Sequence, residues 1–288
     1  MGVSGFVISH ELYIRLGFFF GILLVMALWE LVLPRRVSTV SKRLRWINNI
    51  GIVFLNSFML RFAFPTAAVG MAVFAREHGW GIFNYFHIPY NAVIILSVIS
   101  MDFIIYLQHV MFHAIPVFWR IHRMHHADMD FDVTTGIRFH PFEILLSMLI
   151  KFSGVVVIGP PVLAVIVFEV LLNATSMFNH GNVRLPLSID RALRWFIVTP
   201  DMHRVHHSVE EHETNTNFGF NVPWWDRLLG TYRNQPQMGH EGMTIGLRGF
   251  RDTKHCTILH GMLAIPFLGK LTDYTIIGRK WGKSNENH

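Results

Sequence analysis

Apolar residues in this chain gather into unbroken runs, several of them long enough to cross about 30 Å of hydrocarbon. The first extends from Leu12 to Leu33, with Arg15 and Glu30 near its ends, where long side chains can snorkel. It has no basic segment before it and ends in Pro34-Arg35-Arg36 rather than at a small-residue cleavage site, so it reads as a membrane helix and not as a cleaved signal peptide. The second run, Ile47 to Ala75, has Arg61 and Pro65 at its centre. An arginine at the bilayer midplane costs roughly 2.5–3.5 kcal/mol on insertion scales, which predicts a broken or protein-facing helix there. The third, Ile88 to Gln108, carries Asp102. The fourth, Glu143 to Phe178, is too long for one helix and is divided by Gly159-Pro160-Pro161, which predicts a hairpin tip. The pattern predicts an all-α, multi-pass membrane protein with about four transmembrane helices or hairpin arms. No repeat, low-complexity linker or second-domain boundary is visible, so residues 1–288 are expected to form a single integral-membrane domain.

Orientation follows from the basic cluster Arg35, Arg36, Lys42, Arg43 and Arg45 after the first run, which predicts a cytosolic first loop. Counting crossings from there leaves every segment after Gln108 outside the hairpin on the cytosolic side. Composition supports the bilayer: 51% of residues are hydrophobic, 15% are charged and the mean hydropathy is +0.36, values that also exclude disorder. The net charge of +6 suits an anionic inner leaflet, and nucleic acid is not expected as a partner. The single cysteine, Cys256, permits no intrachain disulfide, thiolate zinc site or cysteine-held cluster. Any metal must sit on nitrogen or oxygen.

Histidine changes the picture, because 18 His nearly equal the 19 Asp plus Glu. Eight of them fall in three short boxes: HVMFH from His109 to His113, HRMHH from His122 to His126 and HRVHH from His203 to His207. On a helix, residues three and four apart share a face, so each box is expected to point its rings in one direction. A ninth, His180, lies at the end of the hairpin's return arm, level with the boxes. His140, before Pro141, is a further candidate ligand or a helix-start residue. Nine imidazoles exceed what one ion needs, so two ions are the economical count. Imidazole suits iron, zinc, copper and nickel, whereas magnesium, calcium and manganese prefer oxygen. A ligating imidazole usually gives its other N–H to a carboxylate or carbonyl, and Asp201 and Asp102 are the candidates for that role. Two other classes stay open on these residues. A zinc-dependent membrane hydrolase would need a nearby glutamate, with Glu143, Glu169, Glu210 and Glu211 available, and a metal carrier would need polar residues through its spans.

At these residues the chain resembles the fatty acid hydroxylase and sterol desaturase superfamily of membrane non-haem di-iron enzymes. The likeness covers roughly residues 102–247. It includes the boxes, Phe178-Asn179-His180-Gly181-Asn182, Thr199-Pro200-Asp201-Met202-His203, Asn217-Phe218-Gly219, and the stretch from Trp225-Asp226-Arg227 to Thr231-Tyr232. Carried across residue by residue, the family's metal ligands are His109, His113, His122, His125, His126, His180, His203, His206 and His207. The resemblance implies two iron ions, O2 as cosubstrate, a His-rich cytosolic helical cap, and hydroxylation, less often desaturation, of a lipid alkyl chain or sterol. The Arg138-Phe139-His140-Pro141 segment looks like the bacterial members, which favours a bacterial inner membrane over the ER. Each hydroxylation consumes two external electrons. The sequence has neither a four-cysteine cluster, nor the His-Pro-Gly-Gly of a cytochrome b5 domain, nor a nucleotide-binding Gly-x-Gly-x-x-Gly after a strand. A separate electron donor, a ferredoxin or cytochrome b5 with its reductase, is therefore expected, docking on basic residues such as Arg184, Arg191, Arg194, Arg227 and Arg233.

Overall fold

The computed structural model describes residues 3–64, 66–269 and 274–276. Among them the secondary structure is helical, with isolated β-bridges and no strand. The elements that matter to the site are α1 (Val3–Ser9), α2 (Glu11–Val32), α3 (Lys42–Ala63), α4 (Ala68–Glu77), α5 (Ile82–Tyr85), α6 (Tyr90–Ala114), α7 (Pro116–His126), α8 (Pro141–Ile158), α9 (Val162–Asn179), α10 (Leu187–Leu193) and α11 (Pro200–His206). Among the described residues five helical segments are long and apolar enough to cross a bilayer, and the chain is an integral membrane protein. The expected break in the second run falls between α3 and α4, and Arg61 is exposed near the end of α3.

Local chemistry explains the boundaries. Ser41 caps α3 by accepting from the Leu44 N–H at 3.4 Å, and α8 begins with His140 as cap and Pro141 in its first turn, where a missing N–H costs nothing. Eighteen residues carry α8 about 27 Å at 1.5 Å per residue. It stops at Gly159, whose φ of 69° is left-handed and open to glycine with little strain, and the two following prolines start α9. A Cβ on Gly81 would lie 2.3 Å from the backbone nitrogen of Gly159, so the turn before α5 seats directly on the hairpin tip. Both mark the end of the molecule away from the histidines.

At the opposite end, α7, α10, α11 and the connecting loops form a cap held to the spanning helices by buried ion pairs. Arg45 of α3 donates to Asp128 through Nε and Nη2 at 2.8 and 2.7 Å, and its Nη1 meets Asp132 at 2.5 Å. Glu30, near the end of α2, accepts from the backbone N–H groups of Val133 at 2.6 Å and Asn182 at 2.9 Å. Buried pairs of this kind return little net stability because desolvation offsets the attraction, but losing one partner costs about 3–5 kcal/mol, so they fix the docking position. Within the spans, Arg15 and Lys151 both reach Glu169, at 2.6 and 2.8 Å.

Candidate metal centre

The nine histidines of the sequence reading converge beneath the cap. The last turns of α6 carry His109 and His113 one turn apart, and Pro116 restarts the chain as α7, which carries His122, His125 and His126. His180 ends α9. Thr199 caps α11, accepting from the Met202 N–H at 3.3 Å, and α11 supplies His203 and His206, with His207 at its C-terminal boundary. All nine are at most 1% exposed.

Their donor atoms fall into two groups: His109, His113, His122, His126 and His206 in one, and His125, His180, His203 and His207 in the other, with the atoms of each group within 4.8 Å of one another. HVMFH keeps both rings in one group, but the division cuts across the other two boxes, which corrects the expectation that each of them points in one direction. In HRMHH the i, i+4 pair His122 and His126 joins the first group while His125 turns to the second. In HRVHH the i, i+4 pair His203 and His207 joins the second while His206 turns to the first. Residues four apart stack on a helix, whereas a third residue is rotated aside.

The rings are oriented from behind. Nδ1 faces the Phe218 carbonyl in His109 (2.8 Å), the Asn215 side-chain oxygen in His113 (3.2 Å), Glu143 in His122 (2.6 Å), the Arg138 carbonyl in His125 (3.1 Å), the Ser176 carbonyl in His180 (2.7 Å) and the Thr216 carbonyl in His206 (2.7 Å). These are acceptors, so Nδ1 carries the proton and Nε2 presents its lone pair. The Nε2 atoms then face one another: His109 and His122 at 3.2 Å, His206 and His109 at 3.0 Å, His113 and His126 at 3.1 Å, His180 and His125 at 3.2 Å, His203 and His180 at 3.1 Å. In the His109–His122, His206–His109 and His180–His125 pairs both Nε2 lone pairs meet without a proton between them and repel, and a cation resolves the conflict. With metal–nitrogen bonds of about 2.0–2.1 Å, neighbouring ligand atoms at right angles are roughly 3 Å apart, which matches these separations. His207 adds a second sign, because it is fully buried with neither ring nitrogen hydrogen-bonded. Burial first, and neighbouring rings second, hold His125, His126, His203 and His207 well below the ordinary imidazole range; His180 is pushed down to about 3 by burial. Neutral rings are what a cation requires. The donor set is all nitrogen and fits iron.

The carboxylates that orient rings differ from those expected. Asp201 pairs with Arg204, lies 3.4 Å from Arg35 and 3.6 Å from His240, and meets none of the nine rings. Asp102 accepts from the Trp225 indole N–H at 2.7 Å. Glu143, which entered the reading only as a hydrolase candidate, instead supplies the contact to His122. Asn217-Phe218-Gly219 entered the reading only as part of the family likeness, and the role of the segment 215–218 was missed: it holds His113, His206 and His109 in turn. Asp226 secures it, accepting from the Phe218 and Gly219 N–H groups at 2.8 Å each, and Asn217 allows the bend with φ at 53°. A visible signal was the unusual run Asn215-Thr216-Asn217-Phe218-Gly219, rich in turn residues. His140 belongs to neither group and caps α8, accepting from the Phe142 N–H at 3.2 Å.

A cavity of about 400 Å³ runs from His109, His122 and Glu143 down between α2, α3, α6, α8 and α9 to Arg15, Lys151 and Glu169. Of the aromatic residues in the stretch from the boxes onward, Phe112, Phe139 and Phe220 line it.

Fold and site together define a multi-pass membrane protein with a buried polyhistidine centre beside an intramembrane cavity. Residues 94–231 match the family model for fatty acid hydroxylase. The chain is 26% identical to the ornithine lipid hydroxylase OlsE of Rhizobium tropici over 74% of its own length and 65% of that protein. It is 23% identical to the alkylglycerol monooxygenase of Xenopus tropicalis over 81% of its length and 53% of the other, and 23% identical to the cholesterol 25-hydroxylase of Rattus norvegicus over 50% and 47%. It thus spans between about half and two thirds of the length of these relatives. No solved structure matches it significantly. Over residues 94–231 the chain is similar to the fatty acid hydroxylase family.

Proposed function

We propose that this protein is an O2-dependent membrane oxidoreductase that hydroxylates, or desaturates, a lipid alkyl chain or sterol. The observation that carries the reading is the convergence of nine buried imidazoles, six of them hydrogen-bonded through Nδ1 from behind, into two groups beside a cavity. His109, His113, His122, His126 and His206 would hold one iron, and His125, His180, His203 and His207 the other. When bound, the irons supply O2 activation and removal of hydrogen from an unactivated C–H bond. The chain's own contribution is to keep the rings neutral and aimed, to hold the Nδ1 proton of His122 on Glu143, and to receive the substrate in a cavity shielded from bulk water. The lipid and sterol hydroxylases among the relatives support the substrate class.

The centre faces the cytosol in this reading, supported by the basic loop after α2 lying on the histidine side, where Arg35 meets Asp201. A bacterial inner membrane is the proposed setting. The whole chain acts as one unit, since α2 and α3 are tied to the cap through Glu30 and Arg45. Electrons come from a separate ferredoxin or cytochrome b5 with its reductase. Its docking surface is narrower than the basic residues suggested, because Arg194 is buried against Asp190 at 2.7 Å and Arg227 lies over the Trp195 and Tyr232 rings. Arg184 and Arg191 remain exposed. The deciding experiment is metal analysis of purified protein together with lipid product analysis. Two irons per chain and an oxygenated or desaturated lipid are expected; zinc alone with lipid hydrolysis would transfer the assignment to a hydrolase.

A further inference from the structure

The cavity wall is not uniformly apolar. Near the histidines three oxygen acceptors on it have no hydrogen-bond partner: Glu143 Oε2, Asn56 Oδ1 and Gln108 Oε1. Glu143 and Asn56 are 3% and 7% exposed. The other end of each group is engaged. Glu143 Oε1 lies 2.6 Å from His122 Nδ1, Asn56 Nδ2 donates to the Phe139 carbonyl at 2.9 Å, and Gln108 Nε2 donates to Ser147 Oγ at 2.9 Å. Unpaired acceptors buried within a membrane-spanning bundle are costly, and aromatic neighbours such as Phe112 and Phe139 cannot relieve them. The deeper ionic cluster does not ask for an anion, because Arg15 and Lys151 are matched by Glu169 and by Glu11, which is 3.6 Å from Arg15. At the histidine end of the cavity the unpaired wall groups are acceptors, whereas the unpaired donors, Arg15 Nε and Nη2, lie at the far end. A bare alkyl chain or an ester offers no donor, whereas hydroxyl and amide N–H groups do.

We infer that the substrate is a lipid whose polar end carries hydroxyl or amide donors, and that this end sits in the cavity against Glu143, Asn56 and Gln108. Because Glu143 touches both the occupant and His122, the carbon presented to the metal centre lies within a few bonds of the polar group, not far along the chain. The inference rests on the oxidoreductase reading only for that last step; the binding preference stands apart from it.

Equilibrium binding of radiolabelled 1-monopalmitoylglycerol and methyl palmitate to the full chain in lipid nanodiscs tests it. The glycerol lipid, with two hydroxyl donors, should bind roughly tenfold more tightly than the methyl ester, which has none. Gln108→Met and Asn56→Leu should each remove most of that preference while leaving methyl palmitate binding unchanged, which also shows that the variants fold. Equal binding of the two lipids, or a preference that survives both substitutions, would overturn the inference and assign the acceptors to water. A retained preference in wild-type protein that oxidises no lipid when supplied with iron, O2 and reductant would refute the proposed activity instead and leave the polar-end site standing.

Discussion

Glu143 Oε1 lies 2.6 Å from His122 Nδ1, joining the first turn of α8 to the metal face of α7. The position suits a carboxylate, because the positive end of the helix dipole favours negative charge there. The contact fixes which nitrogen of His122 carries the proton. It also makes one residue common to the metal centre and to the cavity.

That double role separates two substitutions. Glu143→Gln keeps an oxygen acceptor for His122 and should retain most of the metal. Glu143→Leu leaves the ring N–H unpaired and should lower metal affinity by roughly 10–100-fold. Iron remaining after dialysis against graded chelator reads the difference, and equal loss in both variants would mean that charge rather than hydrogen bonding matters.

The partition of the rings predicts selective loss of metal. His113→Ala touches only the five-membered group and His207→Ala only the four-membered one. Each should weaken iron binding in its own group alone, so that graded chelator takes iron from about two per chain to about one while the other group keeps its ion. Loss of both ions from either variant would show that the groups form one inseparable site.

Asp226 reaches the histidine cluster indirectly, through Phe218 to His109. Burial pushes its carboxyl up to about 6 in spite of the hydrogen bonds it accepts. Asp226→Ala strips partners from two buried N–H groups and should cost about 1–3 kcal/mol for each. A lowered melting temperature with weakened iron binding is expected, with partial rescue by Asp226→Asn, which still accepts one of the two bonds. Normal iron affinity in Asp226→Ala would detach the 215–218 segment from the centre.

Turnover should require a partner. Purified protein given lipid, O2 and NAD(P)H should show no sustained oxidation until a ferredoxin or cytochrome b5 and its reductase are added. The restored rate should fall with salt, because surface charges on such encounters are screened within about 8–10 Å at 0.1–0.15 M. Repeated turnover with no carrier would rule out dependence on a separate donor.

The two ends of the bundle should label from opposite sides. Met238 is exposed on the cap and His87 at the far end, beside the turn that seats on the hairpin tip. In a Cys256→Ser background, Met238→Cys should react with a membrane-impermeant maleimide from the cytosol and His87→Cys from the other side. The reverse pattern would invert the topology.

The spans, the hairpin and the histidine boxes were legible because each is written locally. A bilayer selects for continuous apolar length, Gly159-Pro160-Pro161 can only interrupt a helix, and residues four apart on a helix lie together whatever surrounds them. Tertiary structure decided what depends on residues distant in sequence. How α7 and α11 face each other determined that His125 and His206 leave their boxes for opposite groups. Asp201, two residues before His203, looked placed to orient it, but Arg204 and Arg35 offer a full positive charge where an imidazole offers a neutral N–H, and the carboxylate goes to them. Glu143 lies 21 positions from His122 and meets it only because α8 returns alongside α7. The segment 215–218 has no periodicity at all; two of its carbonyls and the Asn215 side chain meet three rings, with Asp226 holding the backbone at Phe218 and Gly219. Helix formation and membrane length are short-range consequences of composition and spacing, whereas the pairing of a ring nitrogen with its acceptor is settled by which groups compete for it once the chain has packed.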